Sequence, residues 1–149
     1  MSGHQTVHLE FSSSFDVLDL VQVVSDHLAR LVGLDEDDLH WVSVAVRESV
    51  INAIRHGNKG DQQKRVWVEF TPLESESPPG LAIRVRDEGK GFDPSQLPDP
   101  LAKENLLKTS GRGIFLIRNF MDELVLQRAP EGGMEMVMVK RVPPTPKTA

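Results

Sequence analysis

The sequence predicts one small α/β domain, and three observations carry that prediction. Helical and strand periodicities alternate along a chain of 149 residues, a length that supports one core and leaves little room for a second. Apolar residues in the helical segments recur at three- and four-residue steps, so each helix has a stripe to bury. The strand-like segments are short, rich in β-formers and bounded by turn residues.

In chain order, Gln5 to Phe11 alternates apolar Val7, Leu9 and Phe11 with polar neighbours, the period of a half-buried strand. Ser12 to Ser14 supply turn and cap chemistry. Phe15 to Val32 then shows Val17, Leu18, Val21, Val24, Leu28 and Leu31 at helical spacing, with Gly33 as the stop. Acidic Asp35 to Asp38 suit the dipole at the start of a second, longer helix running from Leu39 to His56 and ending at Gly57. Lys64 to Thr71 and Leu81 to Arg86 read as a strand pair around a Pro- and Ser-rich turn. From Asp87 to Ser110, glycines and prolines break any period, with one short helical turn expected at Pro100 to Leu107. A helical pattern resumes at Gly113 to Phe120, and Glu123 to Gln127 and Met134 to Val139 form a last strand pair. Val142 to Ala149, with three prolines, reads as a frayed tail.

Composition narrows the chemistry. The net charge is −5 with scattered Lys and Arg, which lacks the footprint of a nucleic-acid binder. There is no cysteine, which excludes thiol catalysis, disulfides and cysteine-based zinc sites. The five histidines show no metal-ligand spacing. No basic-then-apolar leader stands at Met1 to Glu10, and no apolar run approaches the roughly 20 residues that span a bilayer, so a cytoplasmic protein without a membrane anchor is expected.

Three segments carry candidate chemistry. Glu48 and Asn52, four residues apart, project from one helix face with Arg55 and His56 a turn beyond. A carboxylate there suits activation of a hydroxyl or water, and an amide oxygen suits a hard cation such as Mg²⁺. Taken alone, the pair also describes a solvated helix face. Asp87-Glu88-Gly89-Lys90-Gly91 follows a strand directly, where a carboxylate can accept from an exocyclic amine and glycines let the backbone approach a flat base; an ordinary Asp/Gly turn has the same composition. Ser110-Gly111-Arg112-Gly113-Ile114 opens a helix after the long loop, a place where backbone N–H groups favour anions, although a plain glycine cap looks the same.

In this order, Glu48 to Gly57, Asp87 to Phe92 and Gly111 to Ile114 resemble the N, G1 and G2 boxes of the GHKL ATPase superfamily. Small size and the run Gly113 to Glu123 look most like bacterial anti-sigma factors of the serine-kinase type. The resemblance spans about Phe11 to Lys140. It implies a two-layer Bergerat sandwich, a mixed and mostly antiparallel sheet with three helices on one face, over residues 1–141. It implies ATP and Mg²⁺ as cofactors, with Glu48 as the general base toward a serine hydroxyl and Asn52 holding Mg²⁺. Asp87 would read the adenine amine between Gly89 and Gly91, and the segment from about Phe92 to Ser110 would be a lid. Gly111, Arg112, Gly113 and Ile114 would contact phosphates through backbone amides, and His56, Lys108 and Thr109 complete the expected nucleotide set.

The implied partners are an alternative sigma factor, an anti-anti-sigma protein of the STAS type and a second copy of the chain. Two other activities fit the same boxes: a nucleotide-dependent partner-switching module without phosphotransfer, and a detached histidine-kinase-like catalytic domain. Two positions depart from the family pattern. Met134 follows Gly132-Gly133 where a threonine is common, and Lys108-Thr109-Ser110 stands where an arginine often precedes the second glycine box. A lysine there supplies a point charge without the arginine fork.

Overall fold

The computed structural model of the chain describes residues 5–90 and 109–143, the side chains of 109–114 excepted. One sheet holds β1 (Val7–Ser12), β2 (Arg65–Leu73), β3 (Gly80–Arg86), β4 (Glu123–Arg128) and β5 (Met134–Arg141) in the order β1-β2-β3-β5-β4. All pairings among these strands are antiparallel, so the expected mixed, mostly antiparallel sheet has no parallel pair within the described residues. Between β1 and β2 the chain passes through two helices and so returns reversed, which rules out the single crossover a parallel pair requires. Helices α1 (Leu18–Val32), α2 (Glu36–Asn52) and α3 (Thr109–Phe120) make the second layer, with α2 packed between the other two.

Local chemistry sets the helix ends. Ser14 caps the 3-10 turn Phe15–Val17 that leads into α1, its hydroxyl accepting from the Asp16 amide at 3.2 Å. Gly33, at φ 99°, closes α1: its N–H donates to the Arg30 carbonyl and that of Leu34 to Ala29, each at 3.1 Å. Asp35 caps α2, accepting from the Asp38 N–H at 2.8 Å, and Glu36, Asp37 and Asp38 place negative charge in its first turn. At its other end α2 does not run on as a regular helix to His56. It widens at Ala53–Gly57 into a π turn, where the Asn58 N–H donates to the Ala53 carbonyl at 2.8 Å, five residues back.

Alternation along the strands separates the two faces. Val66, Val68, Phe70, Leu81, Ile83 and Met138 are fully enclosed beneath the helices, with Val21, Val42, Val46, Val50 and Ile117 above them. Met121, Met134 and Met136 are also buried, as packing residues. On the opposite face stand Trp67, Glu69, Arg84, Arg86 and Glu135. Strand β2 continues through Pro72 to Leu73, beyond the expected end at Thr71. Pairing with β1 stops at Val7 opposite Phe70, so Pro72 pairs only with Leu81, an edge-like position that tolerates a missing donor.

The Trp41 ring stacks on Phe120 at 3.8 Å between centroids, joining α2 to the last residue of α3. Val142, expected to begin the tail, packs against the core and donates its N–H to the Pro79 carbonyl at 2.8 Å. The rest of that tail, 144–149, and the expected helical turn at Pro100 to Leu107 lie outside the described residues.

Candidate functional site

The site is built where α2, β3 and the β4–β5 turn converge. Strand β3 delivers Asp87, whose N–H donates to the Met134 carbonyl at 3.0 Å. Its carboxylate is buried, and Oδ1 accepts from the N–H of Gly89 at 2.8 Å and of Met134 at 3.2 Å. Both backbone donors fall on one oxygen, so the orientation of the carboxylate is set and Oδ2 keeps its acceptor capacity. Burial pushes the Asp87 carboxyl above the usual carboxylate range, against the opposing amides of Gly89 and Met134.

Three glycines make this packing possible. A Cβ on Gly57 would fall on the Asp87 carboxylate, one on Gly89 on the Gly57 carbonyl, and one on Gly133 on the Asp87 carbonyl. Gly133 also has φ 82°, a left-handed conformation that side chains resist. The π turn therefore has a structural task, since it sets Gly57 against Asp87. Asn58, fully buried, locks the arrangement: its Nδ2 donates to Ser13 Oγ at 2.6 Å and to the Arg65 carbonyl at 2.9 Å, and its Oδ1 accepts from the Glu88 N–H at 2.7 Å.

Glu48 and Asn52 are half-buried one turn apart on the last part of α2. Asn52 Nδ2 is buried without a hydrogen-bond partner among the described residues, a cost that a polar ligand would relieve. His56 and Arg55 are exposed on the π turn, and the Arg55 guanidinium lies 5.7 Å from the Phe15 ring centroid. Gly91 and Lys108 lie outside the described residues, as does the expected lid through 92–108. Helix α3 starts at Thr109 rather than at Gly113, so the second glycine box falls inside its first turns. This leaves the amides of Thr109 to Gly111 without intrahelical acceptors and commits those of Gly113 and Ile114 to carbonyls a turn back. Among the described residues no cluster of three or more His, Cys, Asp or Glu side chains could hold a metal ion.

A carboxylate fixed by backbone amides at a strand end and packed against the π turn that follows α2 forms the described part of the site. The family comparison agrees with it: the histidine kinase-like ATPase domain matches residues 14–140. The chain belongs to this ATPase domain family. The anti-sigma F factor of Oceanobacillus iheyensis is 33% identical over 108 residues, 71% of each protein. That of Bacillus subtilis is 29% identical over 138 residues, covering 91% of this chain and 92% of the relative. The serine-protein kinase RsbW of Listeria monocytogenes is 23% identical over 145 residues, covering 93% and 88%. Among solved structures, that of the RsbU and RsbW domains of a Mycobacterium tuberculosis protein superposes with a TM-score of 0.63 at 16% identity. It covers 92% of this chain and 32% of the larger one, a likeness of fold.

Within this ATPase domain, sequence reasoning missed Asn58 and Gly133 as parts of the site, and it placed Gly57 in the first box without a role of its own. Gly57 reads as a helix stop and Gly133 as half of a Gly-Gly turn; the signal available for Asn58 was only its position directly after the first box. Met134 is also clearer in the structure. It brings no hydroxyl, yet its backbone N–H orients Asp87.

Proposed function

We propose that the chain binds ATP with Mg²⁺ at this site and acts as an anti-sigma regulator with serine kinase activity toward a STAS-type anti-anti-sigma partner, controlling an alternative sigma factor. The observation that carries the reading is Asp87, a buried carboxylate with one oxygen held by two amides and the other able to accept from the adenine amine. The names of the relatives supply the regulatory and kinase parts. Asn52 fits a metal-bound polyphosphate: its amide oxygen suits a hard cation, and its buried Nδ2, a donor, needs an acceptor such as a phosphate oxygen. When bound, Mg–ATP supplies the transferable phosphoryl group and neutralises charge on it.

The residues of the chain then divide the work. Glu48 would accept the proton of the incoming serine hydroxyl, and Asn52 would hold the metal through its amide oxygen. The first-turn amides of α3, with Lys108, Thr109, Gly111 and Arg112, would hold the polyphosphate, Gly113 and Ile114 continue that helix, and His56 would border the nucleotide. Gly89 and Gly91 shape the base pocket. No helix of the described residues is long and apolar enough to cross a membrane.

Calorimetric titration of ATP with and without Mg²⁺ tests the pocket. Wild type should bind with Mg²⁺ dependence, Asp87→Ala should lose binding, and Asn52→Ala should lose the metal dependence; a silent wild type defeats the reading. Glu48→Gln should bind ATP and fail to phosphorylate a STAS partner, and undiminished transfer removes Glu48 as the base. Met134 and Lys108-Thr109, in place of the family's threonine and arginine, favour a second reading, a nucleotide-ordered partner switch without transfer. Labelled ATP with the STAS partner separates the two by whether label reaches a serine.

A further inference from the structure

The sheet face away from the helices carries a charged network with a direct mechanical link to Asp87. Arg84 Nε donates to Glu135 Oε1 at 2.7 Å, and Nη2 donates to the same oxygen and, at 2.8 Å, to Glu131 Oε1. Its remaining contact leads the other way, from Nη1 to Glu69 Oε1 at 3.4 Å. Two residues along β3, Arg86 Nη1 donates to the Gly132 carbonyl at 3.3 Å, with its guanidinium 3.7 Å from the Trp67 ring centroid. Glu131, Gly132 and Glu135 bracket Gly133 and Met134, the two residues of that turn that touch Asp87.

We propose that Arg84 and Arg86 are positioning residues for base recognition, gripping the β4–β5 turn so that the Gly133-Met134 backbone holds the Asp87 carboxylate in its productive orientation. The inference rests on the reading of Asp87 as the adenine contact. The loop is closed: both arginines belong to β3, which leads directly into Asp87, and the turn they hold returns the amide that orients it. Of the two bonds to Oδ1, that from Met134 is the longer, 3.2 Å against 2.8 Å from Gly89, so a slack turn loses it first and frees the carboxylate to rotate. The grip is anchored well. Glu135 is buried and its Oε2 accepts from Gln127 Nε2 at 2.6 Å, while Arg84 holds the Glu131 carboxyl below its ordinary range.

The test compares ATP with purine riboside triphosphate, which lacks the exocyclic amine, titrated with Mg²⁺ into the whole protein. Wild type should prefer ATP, and Asp87→Ala should lose its ATP binding and with it any preference over the purine analogue. Arg84→Met should lose roughly three- to tenfold of it while binding of the purine analogue stays within about twofold. Glu131→Gln should reproduce part of that loss, and Glu69→Gln, which cuts the contact leading away from the turn, none. In the nucleotide-free protein, Arg84→Met should speed hydrogen exchange of the Met134 amide and leave that of Met138, further along β5, unchanged. A full ATP preference and unchanged Met134 exchange in Arg84→Met overturn the proposal while the adenine reading stands. A preference that survives Asp87→Ala brings down the adenine reading and the proposal with it. Should Arg84→Met not fold, Glu131→Gln decides by the same two readouts.

Discussion

The two ends of α2 follow opposite rules. At its N-terminus Asp35 caps, three carboxylates complement the dipole, and Leu39, Val42 and Val46 fill the core. At its C-terminus the helix widens into a π turn, leaves Asn52 Nδ2 buried without a partner among the described residues, and presses Gly57 on a buried carboxylate. The first end is arranged for stability. The second tolerates unfavourable features that acquire a use only when a polar ligand is present, the pattern expected where local rules give way at a functional site.

The sharpest way to break this contrast is Gly57→Ala. Its Cβ would displace the Asp87 carboxylate, so we expect ATP binding to be lost and stability to fall by about 2–3 kcal/mol. Denaturant titration and calorimetry check both, and a variant that binds normally would show that the close packing is dispensable. Asn58→Ala should follow at about 2 kcal/mol, because Ser13 Oγ, the Arg65 carbonyl and the Glu88 N–H all lose a buried partner. Asp35→Ala, at the other end, should cost about 1 kcal/mol and leave ATP affinity untouched. A change in affinity there would mean that the two ends are coupled.

The smallest effect is the most diagnostic. The folded pKa of Asp87 is raised by burial, so its contribution to stability is full below the unfolded pKa and is lost as pH rises through the folded one. Asp87→Asn does not titrate, so relative to wild type it should gain stability as pH is raised from about 4 to 7, while losing adenine recognition. Thermal melts of the nucleotide-free proteins across that range measure the difference; parallel curves would contradict a strained carboxylate.

This contrast also explains what could be read from the chain before the fold was known. Periodicity located five strands and the helices because the inner positions, Val66, Val68 and Phe70 among them, obey the period of two that burial imposes. Ordered boxes pointed to the family that the match over 14–140 shows. Boundaries drifted where tertiary context overrode local chemistry. Pro72 reads as a breaker but sits where its missing donor is harmless, and Arg112 and Gly113 read as a helix start but follow one at Thr109. The supporting residues of the site were hidden for a different reason. Gly57, Asn58 and Gly133 act through contacts between segments far apart in sequence, and a Gly-Asn or Gly-Gly pair carries no mark of its distant neighbour.

The stack of Trp41 on Phe120 makes the far end of α3 a pivot. The helix has 12 residues, so its first turn lies about 18 Å from that joint. A rocking of about 10° then sweeps the first turn through about 3 Å, enough to make or break a hydrogen bond to an anion. The same ring is one of only two tryptophans in the chain, and the other stands on the outer sheet face beneath Arg86. The joint is thus also an optical gauge, and any displacement of α3 on adding a ligand would be read by Trp41 emission in a Trp67→Phe background without any added label.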